Sequence, residues 1–116
     1  MVEASCHCGA VRIEVARAPD QVTACNCSIC RRLGWLVAYY PLAEVSVRGE
    51  TDTYEWGDRQ LRFHRCKVCG CATHWWPVQP TLDRMGVNAR LMAPEVLARA
   101  RVRRFDGAES WTFLDD

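Results

Sequence analysis

Polar and apolar residues alternate from Ala10 to Ala16, with Val11, Ile13 and Val15 on one side and Arg12 and Glu14 on the other. A period of two is the signature of a half-buried strand. Trp35 to Tyr40 reads Trp-Leu-Val-Ala-Tyr-Tyr, a continuous apolar and aromatic run that suits a strand covered on both faces. Val45 to Val47 and Thr53 to Trp56 predict two further strands separated by a turn at Gly49-Glu50. Leu61 to His64 alternates again and leads into Cys66, and Thr73 to Trp76, Met85 to Val87 and Val102 to Phe105 are also strand candidates. Helical periodicity is weak. One turn is expected over Ser28 to Leu33 after a serine cap, and another over Pro94 to Arg99, where proline suits the first helical position. The pattern predicts a mainly-β, antiparallel domain with one or two short helical turns. It leaves no room for the helical crossovers that parallel βαβ units need.

The 116 residues predict one domain spanning 1–116. A net charge of +1 points to neither a nucleic-acid binder nor a membrane-surface binder. Arg99, Arg101, Arg103 and Arg104 form the one basic cluster, and a solvated strand face explains it more simply than a nucleic-acid surface. Neither a membrane-length apolar run nor a basic-then-apolar N-terminal segment is present, so a cytoplasmic protein is expected. In a reducing compartment eight cysteines are expected to be metal ligands, with four disulfides as the alternative.

Those cysteines fall into three groups: Cys6-His7-Cys8-Gly9, Cys25-Asn26-Cys27-Ser28-Ile29-Cys30, and Cys66-Lys67-Val68-Cys69-Gly70-Cys71. A C-x-x-C turn brings two thiolates to one metal, and a C-x-C pair on a strand points both to one face. Cys6, Cys8, Cys66 and Cys69 therefore predict a complete four-sulfur zinc site, which is closed and structural. Cys25, Cys27 and Cys30 supply three thiolates, the pattern of a zinc site with an open place. Water, a substrate thiol, or one of Cys71, His74 and His64 would fill it. Trp35, Trp56, Trp75 and Trp76 read as core or pocket wall.

In order and spacing, C-H-C-G, C-N-C-S-I-C and C-K-V-C-G resemble the glutathione-dependent formaldehyde-activating enzyme family, which also includes centromere protein V. The resemblance extends over roughly residues 4 to 106 and includes Gly86-Val87-Asn88-Ala89. It implies a β-tent fold built around two zinc ions, one structural and one labile. It also implies glutathione as co-substrate and a carbon–sulfur lyase-type reaction joining a small aldehyde such as formaldehyde to that thiol. On that reading the catalytic set is Cys25, Cys27 and Cys30 with His74 moving the proton, while Arg31 and Arg32 attract glutathione carboxylates. The alternatives are a zinc-stabilised module that binds a thiol, a protein or nucleic acid without catalysis, and a structural protein with two closed sites.

Overall fold

The structure, a computed structural model, describes residues 1–79 and 82–114. The chain runs β1 (Val2–Ser5), β2 (Arg12–Val15), β3 (Gln21–Cys25), α1 (Ser28–Leu33), β4 (Val37–Tyr40), β5 (Val45–Arg48), β6 (Thr51–Tyr54), β7 (Leu61–Cys66), β8 (Ala72–Pro77), β9 (Met85–Asn88), α2 (Pro94–Ala98) and β10 (Arg101–Phe105). The mainly-β architecture with two short helices matches the sequence pattern. The alternating segment contains β2, and Ile13 and Val15 of that strand are buried together with Val11 just before it. No helix among the described residues is long and apolar enough to cross a membrane.

The strands form two sheets, one ordered β1-β2-β5 and the other β10-β3-β4-β9-β8-β7-β6. The strands flanking Gly49-Glu50 part company, because β5 joins β2 in the small sheet and β6 joins β7 in the large one. One expectation fails: β10 lies parallel to β3, in register from Arg101↔Gln21 to Phe105↔Cys25. A parallel pair needs a long crossover, and here the whole intervening chain provides it.

The two sheets share one core. Ala4, Ile13 and Val15 from the small sheet meet Val22, Ala38, Met85 and Val87 from the large one, and Cys6 and Cys66 join them. A second apolar cluster of Trp35, Val37, Phe63 and Trp75 has Ile29 and Cys30 packed against it. The two clusters divide adjacent residues of β4, since Val37 belongs to one and Ala38 to the other. Successive side chains of a strand point to opposite faces, so the second cluster marks the face of the large sheet turned away from the small one.

Candidate functional site

Cys6, Cys8, Cys66 and Cys69 lie with their sulfurs within 4.8 Å of one another. Two edges of this group measure 3.7 Å (Cys6–Cys8) and 3.6 Å (Cys8–Cys66). Zinc with four sulfurs at about 2.3 Å has tetrahedral edges of ~3.8 Å, whereas a disulfide would need about 2.05 Å. All eight cysteines are free of disulfides.

The backbone around this group is arranged twice in the same way. Gly9 N–H donates to the Cys6 carbonyl and Gly70 N–H to the Cys66 carbonyl. Both glycines have a positive φ, 83° and 80°, which a side chain would oppose. These turns aim N–H groups at sulfur: Val11 to Cys6 at 3.2 Å, Ala10 to Cys8 at 3.4 Å, and Val68 and Cys69 to Cys66, both at 3.4 Å. The N–H groups of Cys71 and Cys8 pull the Cys69 thiol down to about 5, while against the Ala10 N–H, burial and the neighbouring sulfurs of Cys66, Cys6 and Cys69 push Cys8 up to about 11. Donors on sulfur favour the thiolate, the form that binds metal, so the residues fit zinc.

Cys25, Cys27 and Cys30 form the second group, also within 4.8 Å of one another. Cys25 ends β3, Cys27 caps α1 and Cys30 lies within it. The expected serine cap is instead Cys27, whose sulfur accepts from the Cys30 N–H at 3.4 Å; Ser28 is the first helical residue. A bond from the Cys30 thiol, followed by the N–H groups of Cys27 and Gly107, draws Cys25 down to about 5 against the cost of burial. Cys30 moves the opposite way, raised by Cys25 and by burial. Polarised sulfurs in this number fit a metal with one place left over.

Gly107 contributes to this site from far along the chain. Asn26 anchors its loop: Asn26 Nδ2 donates to Asp106 Oδ1 at 3.0 Å, and Ala108 N–H donates to Asn26 Oδ1 at 3.0 Å. Asn26 N–H also donates to the Phe105 carbonyl. The wall of the site comes from the large sheet. Trp35 is 3% exposed and its Nε1–H has no hydrogen-bond partner. That N–H favours the Cys30 thiolate while falling short of hydrogen-bond geometry. Tyr39 and Trp75 lie 6.2 Å apart by ring centroid, and Arg84 sits over them at 4.5 Å and 6.0 Å. Burial raises the Tyr39 hydroxyl pKa; Arg84 opposes this, and charge on Cys30 and Cys25 adds to it.

The structure places the other predicted residues elsewhere. None of Cys71, His74 and His64 joins the three-sulfur group. Cys71 lies beside the four-sulfur group, with His7 N–H and the Cys69 side chain acting on it. His74 neighbours Trp75 on β8 and so points to the opposite face. There it lines a cavity of about 390 Å³ with Thr51, Arg62, His64 and Trp76. Its ring stacks on His64 at 4.2 Å, and burial holds its pKa near 3. The proton-moving role expected of His74 thus loses its geometric basis. Thr73 Oγ1 donates to the His64 carbonyl at 3.3 Å and lies 2.9 Å from His74 Nδ1. Arg31 and Arg32 are exposed in the last turn of α1, and Arg32 donates to the Ser28 carbonyl at 2.9 Å.

Sequence reading missed Tyr39, Arg84 and Gly107. The alternation of Trp35, Val37 and Tyr39 is a signal that could have found the first of these.

Residues 1–105 match the family described as glutathione-dependent formaldehyde-activating enzyme. A crystal structure of a Rhodobacter sphaeroides protein, a structural-genomics target, is similar at 31% identity with a TM-score of 0.70. The match covers 86% of this chain and 98% of that one.

Proposed function

The chain belongs to the glutathione-dependent formaldehyde-activating enzyme family, and from that premise we propose that it joins a glutathione-like thiol to a small aldehyde at Cys25, Cys27 and Cys30. The observation that carries the reading is a three-sulfur group with no fourth His, Cys, Asp or Glu among the described residues. It lies against an unpartnered Trp35 N–H and beneath the Gly107 loop. The four-sulfur group is the structural site in this reading.

The reaction needs no oxidant. The thiol S–H breaks, sulfur bonds to the aldehyde carbon, and the C=O pair becomes an O–H. Zinc held at the three cysteines would supply a centre that favours the thiolate of an incoming thiol. The chain's own groups do the rest. The Cys30 side chain, with the Cys27 and Gly107 N–H groups, favours the thiolate of Cys25. The Gly107 loop packs on Cys25, and Trp35 and Trp75 form an apolar wall against Cys30. The Tyr39 hydroxyl, held neutral by its raised pKa, is an O–H donor for the oxygen that gains charge as the C–S bond forms. His74 has no part in this scheme.

The test is exchange NMR of formaldehyde and glutathione with and without the protein. Wild type is expected to speed formation of S-(hydroxymethyl)glutathione, and Cys27→Ser to give only the uncatalysed rate. Equal rates for both proteins would refute the reading.

A further inference from the structure

We propose that Arg84 recognises a carboxylate of the thiol substrate, so that the site selects thiols that carry an acidic group. The inference rests on the thiol-binding reading above and adds the chemical class of the thiol to it.

Arg84 is an exposed cation held in a fixed place. Its guanidinium lies 4.5 Å from the Tyr39 ring centroid and 6.0 Å from that of Trp75. Stacking on aromatic faces restrains a guanidinium while leaving its edge free to donate. No acidic side chain among the described residues pairs with it. Its neighbour Asp83 is engaged elsewhere, accepting from the Leu42 N–H at 3.0 Å. Arg62 and Arg17, by contrast, each have a glutamate partner.

The direction of this cation is set by the sheet. Tyr39, Gly86 and Trp75 form one cross-strand row, through the pairs Tyr39↔Gly86 and Trp75↔Gly86. A Cβ on Gly86 would lie 2.2 Å from Trp75 Nε1 and 2.7 Å from Val37 Cγ1. Glycine therefore lets the indole lie across the row towards Tyr39, and the two rings make a shelf for Arg84. Trp75 belongs to the apolar cluster against which Cys30 packs, so the Arg84 guanidinium over Trp75 and Tyr39 shares that face of the large sheet with Cys30. The buried Trp35 N–H on the same face acts on the Cys30 sulfur. A thiol seated on the three cysteines would lay its backbone along Tyr39 and present its carboxylate to Arg84. Arg fits a carboxylate with two parallel N–H···O bonds.

Calorimetric titration of the zinc-loaded protein tests this with two probes, glutathione and 2-mercaptoethanol, which has no carboxylate. Wild type, Arg84→Ala and Arg84→Lys are compared, with the zinc content of each measured first. Arg84→Ala is expected to weaken glutathione by about tenfold or more and to leave 2-mercaptoethanol unchanged, with Arg84→Lys in between. Unchanged glutathione affinity, or an equal loss for both probes, overturns the inference and leaves the thiol reading standing. Failure of wild type to bind either probe overturns both.

Discussion

Gly107 packs directly on Cys25: a Cβ built on Gly107 would lie 2.6 Å from the Cys25 sulfur and 3.2 Å from Cys27 Cβ. The two residues are far apart in sequence, and a 3.0 Å hydrogen bond between their neighbours Asn26 and Asp106 ties the two segments together. Only a hydrogen side chain leaves the three sulfurs where they are. Gly107→Ala is therefore expected to displace the loop or rotate Cys25. Metal analysis should show bound zinc falling from two per chain towards one, while thermal unfolding changes little because residues 108–110 are exposed.

The four-sulfur group should behave differently. Cys66 is 1% exposed and belongs to the main core, so its loss removes both a ligand and buried volume. Closed zinc sites contribute folding free energy outright. Cys66→Ala is expected to cost at least ~3 kcal/mol, lowering Tm by roughly 10 °C or more. A chelator should unfold the wild type on circular dichroism, and a Cys27 variant should unfold in the same way. Retention of the wild-type Tm in Cys66→Ala would contradict a structural role.

Burial lowers the His74 pKa from 6.5 to about 3, and the neighbouring His64 adds to the shift. The unfolded chain takes up this proton first as pH falls. Stability from the neutral ring is complete above pH 6.5 and is lost progressively from 6.5 down to about 3. The slope approaches ~1.4 kcal/mol per pH unit for one such group. Urea unfolding between pH 7 and pH 5 should show this decline in wild type and a shallower one in His74→Gln. Identical slopes would place the titration elsewhere.

Gly86→Ala tests the aromatic row. The added methyl would meet Trp75 Nε1 and Val37, and forcing it into a packed site costs about 1–3 kcal/mol. Urea midpoints should fall accordingly. Near-ultraviolet circular dichroism should report the moved indole, and an unchanged spectrum would mean that Trp75 does not rest on Gly86.

The strands from β4 to β9 were legible because each carries its own period or apolar run, and the cysteine groups because metal ligation demands close local spacing. Residues 2–5 and 21–25 were not read as strands: Gln21-Val22-Thr23-Ala24-Cys25 alternates but carries one large aliphatic residue, Val22, and its partner β10 lies 80 positions away. The parallel pairing of these two strands depends on the path of the whole chain, which no window reveals. His74 follows Cys71 closely in sequence yet lies apart from the three-sulfur group. Residue alternation in Thr73-His74-Trp75-Trp76 already sets His74 and Trp75 on opposite faces. Arg84 and Gly107 left no local trace. One is defined by the rings it covers and the other by the sulfur it touches.

X-ray absorption at the zinc edge, on protein loaded with two zinc ions and measured before and after glutathione, tests the open place at Cys25, Cys27 and Cys30 most directly. The expected result is an average of about 3.5 sulfurs per zinc, rising to about 4 when the thiol enters. Four protein ligands on both ions, with a spectrum that glutathione leaves unaltered, would contradict it.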